Sequence, residues 1–200
     1  MRSTLEVWRR TIGAFATAAI VAAGGATLLT AAGGQREGIK VHGHWTIEVR
    51  NPDGTLSARH EFENALVDTG AVNLARLLSR ANAPGMWGVS LYSPAGTPNC
   101  MAIGIPCILS EHPGYGAPLR AEVPSEGPNA GRLVLSGSFT SPTARTFIAV
   151  DSGFELCQPQ SPGCSAGTLA GAFSRKDFSA PFPSAEAGQI VQITVTFSFS

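Results

Sequence analysis

The chain has 200 residues, 14 of them basic and 14 acidic, for a formal net charge of zero. Only 14% of residues are charged and no basic run stands out, which argues against a nucleic-acid partner. Glycine (23) and proline (14) are plentiful and the later part is rich in Ser, Thr, Phe and Val, the mixture that many short strands joined by tight turns produce.

Residues 11–35 contain no Asp, Glu, Lys or Arg, and they follow a basic segment with Arg2, Arg9 and Arg10. An apolar run over 11–30 leads into small residues at Ala31, Ala32, Gly33 and Gly34, so an export signal cut after Ala32 fits the pattern. A retained membrane anchor is the alternative, since about 20 residues suffice to cross a bilayer as a helix. Composition favours the cleaved signal. Ile12, Phe15, Ile20, Val21, Leu28 and Leu29 are the only large apolar side chains of the run, and Gly13, Gly24 and Gly25 dilute them. Either way the chain is exported, to the periplasm or the extracellular space, and touches a membrane only through 11–30 if the leader is retained. Residues 33–200 then make one domain of ordinary size.

The first segment of that domain, 39–50, alternates cleanly. Ile39, Val41, Trp45, Ile47 and Val49 are apolar, while Lys40, His42, His44, Thr46, Glu48 and Arg50 are polar. Period two predicts a strand with one buried and one solvated face. Asn51-Pro52-Asp53-Gly54 predicts a turn, and a second strand follows with Leu56, Ala58 and Phe62 on its apolar side, completing a hairpin. His42, His44 and Glu48 share the polar face in an H-x-H-x₃-E spacing that echoes the first metal motif of cupin barrels. Glu61 or Glu63 on the partner strand are further acidic neighbours. The cupin second motif is missing, and a solvated hairpin face with histidines beside carboxylates accounts for the same residues. His60 falls among apolar positions and reads as a core or boundary histidine.

The one helix expected in the domain runs from about Asp68 to Arg80, capped by Asp68 or Thr69, with Ala71, Leu74, Leu77 and Leu78 as its apolar stripe. Arg76 and Arg80 suit its C-terminal end. A strand is predicted over 86–92, with Trp87, Val89 and Leu91 facing one way, and residues 93–131 are loop-rich, with many Pro and Gly.

The four cysteines repeat a spacing: six residues separate Cys100 from Cys107 and Cys157 from Cys164. An even count in an exported chain argues for disulfides, and local pairing is the simplest of three connectivities. Closing so short a loop stabilises by roughly 2–3 kcal/mol in the chain-entropy model. Zinc ligands usually lie two to four residues apart, so this spacing is too wide for a four-cysteine zinc site.

Strand patterns return at Leu133, Val134, Leu135 and Phe139, and again over 147–150. Asp151-Ser152-Gly153 then reads as a turn. The chain closes with a strand as regular as the first: Val191, Ile193, Val195, Phe197 and Phe199 alternate with Gln192, Thr194, Thr196 and Ser198. Such a strand belongs inside a sheet. The expected architecture is therefore mainly β: an antiparallel β-sandwich with one short helix, preceded by the hydrophobic signal or anchor helix.

No G-x-S-x-G and no phosphate loop occurs outside the leader. Trp45, Trp87, Tyr92 and Tyr115 could line a sugar-binding face; Trp45 and Trp87 sit on apolar faces and read as core, whereas Tyr115, in HPGYGAP, is the better candidate for an exposed binding contact.

Three segments taken together, FENALVDTGAVNLARLL, AFSRKDFSAPFPSAEAGQ and VQITVTFSFS, resemble a β-sandwich domain of phage tail-fibre and tail-appendage proteins also found in uncharacterised bacterial proteins. The corresponding positions are Asn64 before the helix, and Phe173, Arg175 and Phe178 before the last strand. The export leader and the four cysteines depart from that group. The resemblance implies a sandwich fold and a role in surface assembly or binding, with no catalytic residues. The overall expectation is an exported, non-enzymatic protein acting at a surface on an unidentified partner, or on its own copies, without a cofactor. The alternative is a cupin-like protein using His42, His44 and Glu48 to hold a divalent metal.

Overall fold

The computed structural model describes residues 39–94, 107–111, 116–158 and 168–200. The leader, Cys100, Tyr115 and Cys164 lie outside those residues.

Eleven strands and one helix follow in order: β1 (Val41–Arg50), β2 (Leu56–Ala65), α1 (Asp68–Leu78), β3 (Ala83–Tyr92), β4 (Cys107–Ser110), β5 (Ala117–Glu122), β6 (Leu133–Thr140), β7 (Arg145–Thr146), β8 (Ala149–Cys157), β9 (Thr168–Asp177), β10 (Ser184–Ala185) and β11 (Ile190–Phe199). The molecule is thus mainly β with one short helix among the described residues. Nine strands form one sheet, ordered β2-β1-β11-β6-β5-β4-β3-β8-β9, while β7 and β10 pair apart. All neighbours in the large sheet run antiparallel except β4 and β5, which are joined by only two parallel residue pairs.

The period-two pattern builds the hairpin and the closing strand as expected. Val41, Trp45, Ile47 and Val49 are buried, as are Val191, Ile193, Val195 and Phe197. β11 lies between β1 and β6, with Trp45 opposite Val195 and Val195 opposite Leu135. The turn forms at the expected residues: Gly54 donates to the Asn51 carbonyl at 2.8 Å and takes a φ of +85°, which glycine adopts without penalty. Ile39, Leu56 and Phe199 end their apolar rows half-exposed or more.

The sheet curls until its two edges approach. Leu66, just past β2, bridges to Ser174 on β9. The nine strands thus make one sheet that is nearly closed into a barrel. Its interior holds Trp45, Phe147, Phe154, Phe173 and Phe197 with Ile, Leu and Val side chains from seven strands. Phe173 and Phe197 meet edge-on with centroids 5.3 Å apart, and Trp87 lies 4.8 Å from Phe154 and 5.3 Å from Phe173.

The helix covers the β9 edge near this seam. Its buried face is Gly70, Asn73, Leu74 and Leu77, rather than the expected stripe that included Ala71 and Leu78; Leu78 is 64% exposed. The reason is Gly70: a Cβ there would run into the Phe173 carbonyl oxygen, so the glycine sets the line of closest approach. The N-cap is Val67 with no side-chain bond, not Asp68 or Thr69. The Thr69 hydroxyl instead donates to the Ala172 carbonyl at 2.7 Å, and the Val67 amide to that of Phe173 at 3.1 Å. Docking to a strand edge has displaced capping.

The loop-rich stretch carries two short strands, and one expected turn is corrected. Within 93–131, β4 and β5 form, short and with only Cys107, Leu109 and Leu119 fully inside. Asp151-Ser152-Gly153 is not a turn but the middle of β8, flanked by β3 and β9. A strand covered on both sides shows no alternation, and six successive β8 residues, Ala149–Phe154, are buried.

Cys107 lies opposite Leu91, and Cys157 opposite Ala83, at the two ends of β3. Cys157 lies seven positions along β8 from Val150, which also faces Leu91; at about 3.3 Å per position that is roughly 23 Å. A disulfide needs Cα atoms within about 7 Å, so these two cysteines do not bridge each other. Neither is free.

Candidate functional site: a glycine-floored groove

The outer face of β4, β3, β8 and β9 carries the chemistry. Alternation sends Trp87, Val89 and Leu91 inward and leaves Met86, Gly88, Ser90 and Tyr92 outward. Register then lays two rows across the sheet. In the first, Ser90 sits between Ile108 and Asp151, and Asp151 faces Arg175. In the second, Gly88 sits between Ser110 and Gly153, and Gly153 faces Ala172.

Two adjacent glycines remove the side chains that would fill the second row, so a groove opens between the flanking residues. It encloses about 210 Å³, with Met86, Tyr92, Ile108, Asp151, Glu155 and Ala172 around it. The β8–β9 register slips on both sides of Gly153, and Gly171 takes a φ of +84° in the irregular stretch. Bulges of this kind re-aim side chains beside sites.

One end of the groove is a charged cluster. The Tyr92 hydroxyl donates to Asp151 Oδ2 at 2.7 Å. The Arg175 guanidinium stands 4.9 Å over the Tyr92 ring, 3.8 Å from Asp151 Oδ2 and 2.8 Å from Asp177 Oδ1. Burial pushes the Asp151 carboxyl above its ordinary range, against the opposing pull of Tyr92 and Arg175. Burial, followed by the bond to that carboxylate, pushes the Tyr92 phenol up to about 12. The bond to Asp177 holds the Arg175 guanidinium above its usual value. At the other end, Glu155 lies beside the β3 bulge at Gly85 and Met86, and its buried Oε2 has no hydrogen-bond partner.

The sequence-derived candidates lie elsewhere. His42, His44 and Glu48 do share the outer face of β1, but in a row. His44 and Glu48 are four residues apart, about 13 Å along a strand, and Glu48 is bound by Arg50 at 2.6 Å and Arg59 at 3.1 Å. His44 Nδ1 comes within 4.0 Å of Glu63 Oε1 instead. Among the described residues no three His, Cys, Asp or Glu side chains converge as a metal would require. His60 is half-buried opposite Ile47, at the boundary of the core.

The residues quoted for the tail-fibre resemblance divide between scaffold and groove. Asn64 accepts a hydrogen bond from Trp45 Nε1 at 2.9 Å, Phe173 is core, and Phe178 packs edge-on to Phe62 at 5.3 Å. Arg175 alone joins the groove cluster. Sequence reasoning offered Tyr92 only as one of four aromatics that could line a recognition face and missed Asp151 and Glu155 beside it; the available signal was Tyr92 on the polar side of a strand that also carries Gly88. No family model, curated protein or solved structure matches the chain. Among the described residues no helix is long and apolar enough to cross a membrane.

Proposed function

We propose that the chain is an exported, non-enzymatic protein that binds or assembles at a surface, through the groove on β3, β8 and β9. The groove carries the reading: charged groups held in fixed pairs, apolar walls and an open glycine floor suit recognition. The leader pattern and the paired cysteines support export, and the tail-appendage resemblance supports a surface role. The nearly closed sheet is read as a β-sandwich with joined edges, its layers β2-β1-β11-β6-β5 and β4-β3-β8-β9. Support comes from the thin seams, two parallel pairs on one side and a single bridge on the other.

The cysteines are assigned as Cys100–Cys107 and Cys157–Cys164. With Cys107 and Cys157 too far apart to bridge each other, local pairing is the simpler of the two connectivities left.

A Gly88→Val variant tests the groove. A Cβ at Gly88 meets nothing nearer than the Leu109 carbonyl oxygen at 3.6 Å, so the fold tolerates it while the groove fills. Labelled wild type should be retained on intact bacterial cells and Gly88→Val should be lost from them, with equal melting behaviour. Equal retention of both, or of neither, contradicts the reading. Stoichiometric metal in the purified protein that disappears in a His42→Ala/His44→Ala double variant would instead establish the cupin-type alternative.

A further inference from the structure

We infer that the groove receives a primary ammonium group carried on a short alkyl stem. The inference rests on the groove being the recognition site and adds the ligand's chemistry.

The free hydrogen-bonding capacity of the groove is on the acceptor side. Tyr92, a neutral donor at its wall, already gives its proton to Asp151, and the Ser90 hydroxyl is bonded to the same carboxylate. Arg175, the adjacent cation, is bonded to Asp177 through both Nε and Nη2. What remains is Glu155 Oε2, buried without a partner; Asp151, 8% exposed, adds a second carboxylate that already accepts from Tyr92. An unpaired buried carboxylate oxygen forfeits its solvation, and a cationic donor restores it most fully. Asp151 and Glu155 project from the same face of β8 with Gly153 between them, so negative charge brackets an empty floor. Beside Ser90 and Ser110, the lining includes Met86, Ile108 and Ala172, whose methyl and methylene groups suit an alkyl chain. The enclosed volume, about 210 Å³, suits a small amine or the end of one lysine-like side chain.

Nuclear magnetic resonance titration of the purified protein with n-butylammonium chloride, n-butanol and glucose separates the possibilities. Butylammonium should move the amide resonances of Gly88, Gly153 and Gly171, and n-butanol and glucose should not. Glu155→Gln should weaken butylammonium by at least about tenfold through loss of the charge-assisted bond, and Gly88→Val should abolish the shifts. Glucose or butanol moving the same amides while butylammonium does not would overturn the ammonium inference and leave the groove standing as the site. Butylammonium shifts that persist unchanged in both variants, or no shifts from any probe, would also overturn it. Cell retention of wild type against Gly88→Val then judges the groove separately.

Discussion

Asp151 and Tyr92 form a pair in which each alters the other's proton. Folded Asp151 holds its proton more tightly than an unfolded aspartate, because burial penalises the charge. Its stabilising contribution is therefore complete below the ordinary carboxylate value and is lost as pH rises through the raised folded value. Asparagine at 151 carries no charge to bury. The stability of Asp151→Asn relative to wild type should increase between about pH 3 and about pH 7, read as urea midpoints; a constant difference would contradict the burial. Tyr92 behaves alike at the alkaline end. Its phenol, pushed up to about 12, favours the folded state below the usual tyrosine value of 10 and ceases to do so as pH passes 12. Of the two tyrosines in the chain, one should ionise late in a spectrophotometric titration, and Tyr92→Phe should remove that step. The same substitution takes a donor from a buried carboxylate and should cost about 1–2 kcal/mol near neutral pH. None of this was legible beforehand. Asp151-Ser152-Gly153 has the composition of a turn, and only the neighbouring strands show that it is sheet.

At the scale of elements, alternation was a reliable guide where one face is wet. β1 and β11 emerge as read, down to the burial of Trp45 and Val195, because each has core on one side and water on the other. It failed for β8, six successive residues of which are buried, for β9, which is irregularly paired, and for four-residue β4, too short to show a period. The helix was found but turned. An apolar stripe chosen from Ala71, Leu74, Leu77 and Leu78 omits Gly70, whose missing side chain permits contact with the β9 backbone. Gly70→Ala should therefore destabilise, despite alanine's better helix propensity, by about 1–3 kcal/mol as the helix shifts off Phe173; thermal unfolding measures it, and unchanged or raised stability would contradict the packing. Arg145 shows a related lesson. It is 4% exposed, with Nε bonded to Ser141 Oγ at 3.0 Å and Nη2 to Thr143 Oγ1 at 3.1 Å, so a residue that reads as surface fixes the loop before β8 from within. Burial lowers its pKa.

For the whole molecule, the sheet's near-closure places the candidate groove on a rigid wall. Aromatic side chains back it from inside, with Trp87, Phe154 and Phe173 directly beneath β3, β8 and β9. The two described cysteines mark the ends of that wall, Cys107 on β4 and Cys157 at the close of β8. The His42, His44 and Glu48 row shows why spacing along a strand is weak evidence for a metal site: side chains on one face share a direction but not a point. Mass spectrometry of the exported protein, intact and then as peptides, before and after reduction, tests the central claim most directly. The proposal predicts a mature chain beginning at Gly33, four cysteines refractory to alkylation until reduced, and peptides linked Cys100 to Cys107 and Cys157 to Cys164. A full-length chain retained inside the cell with four alkylatable thiols would contradict it.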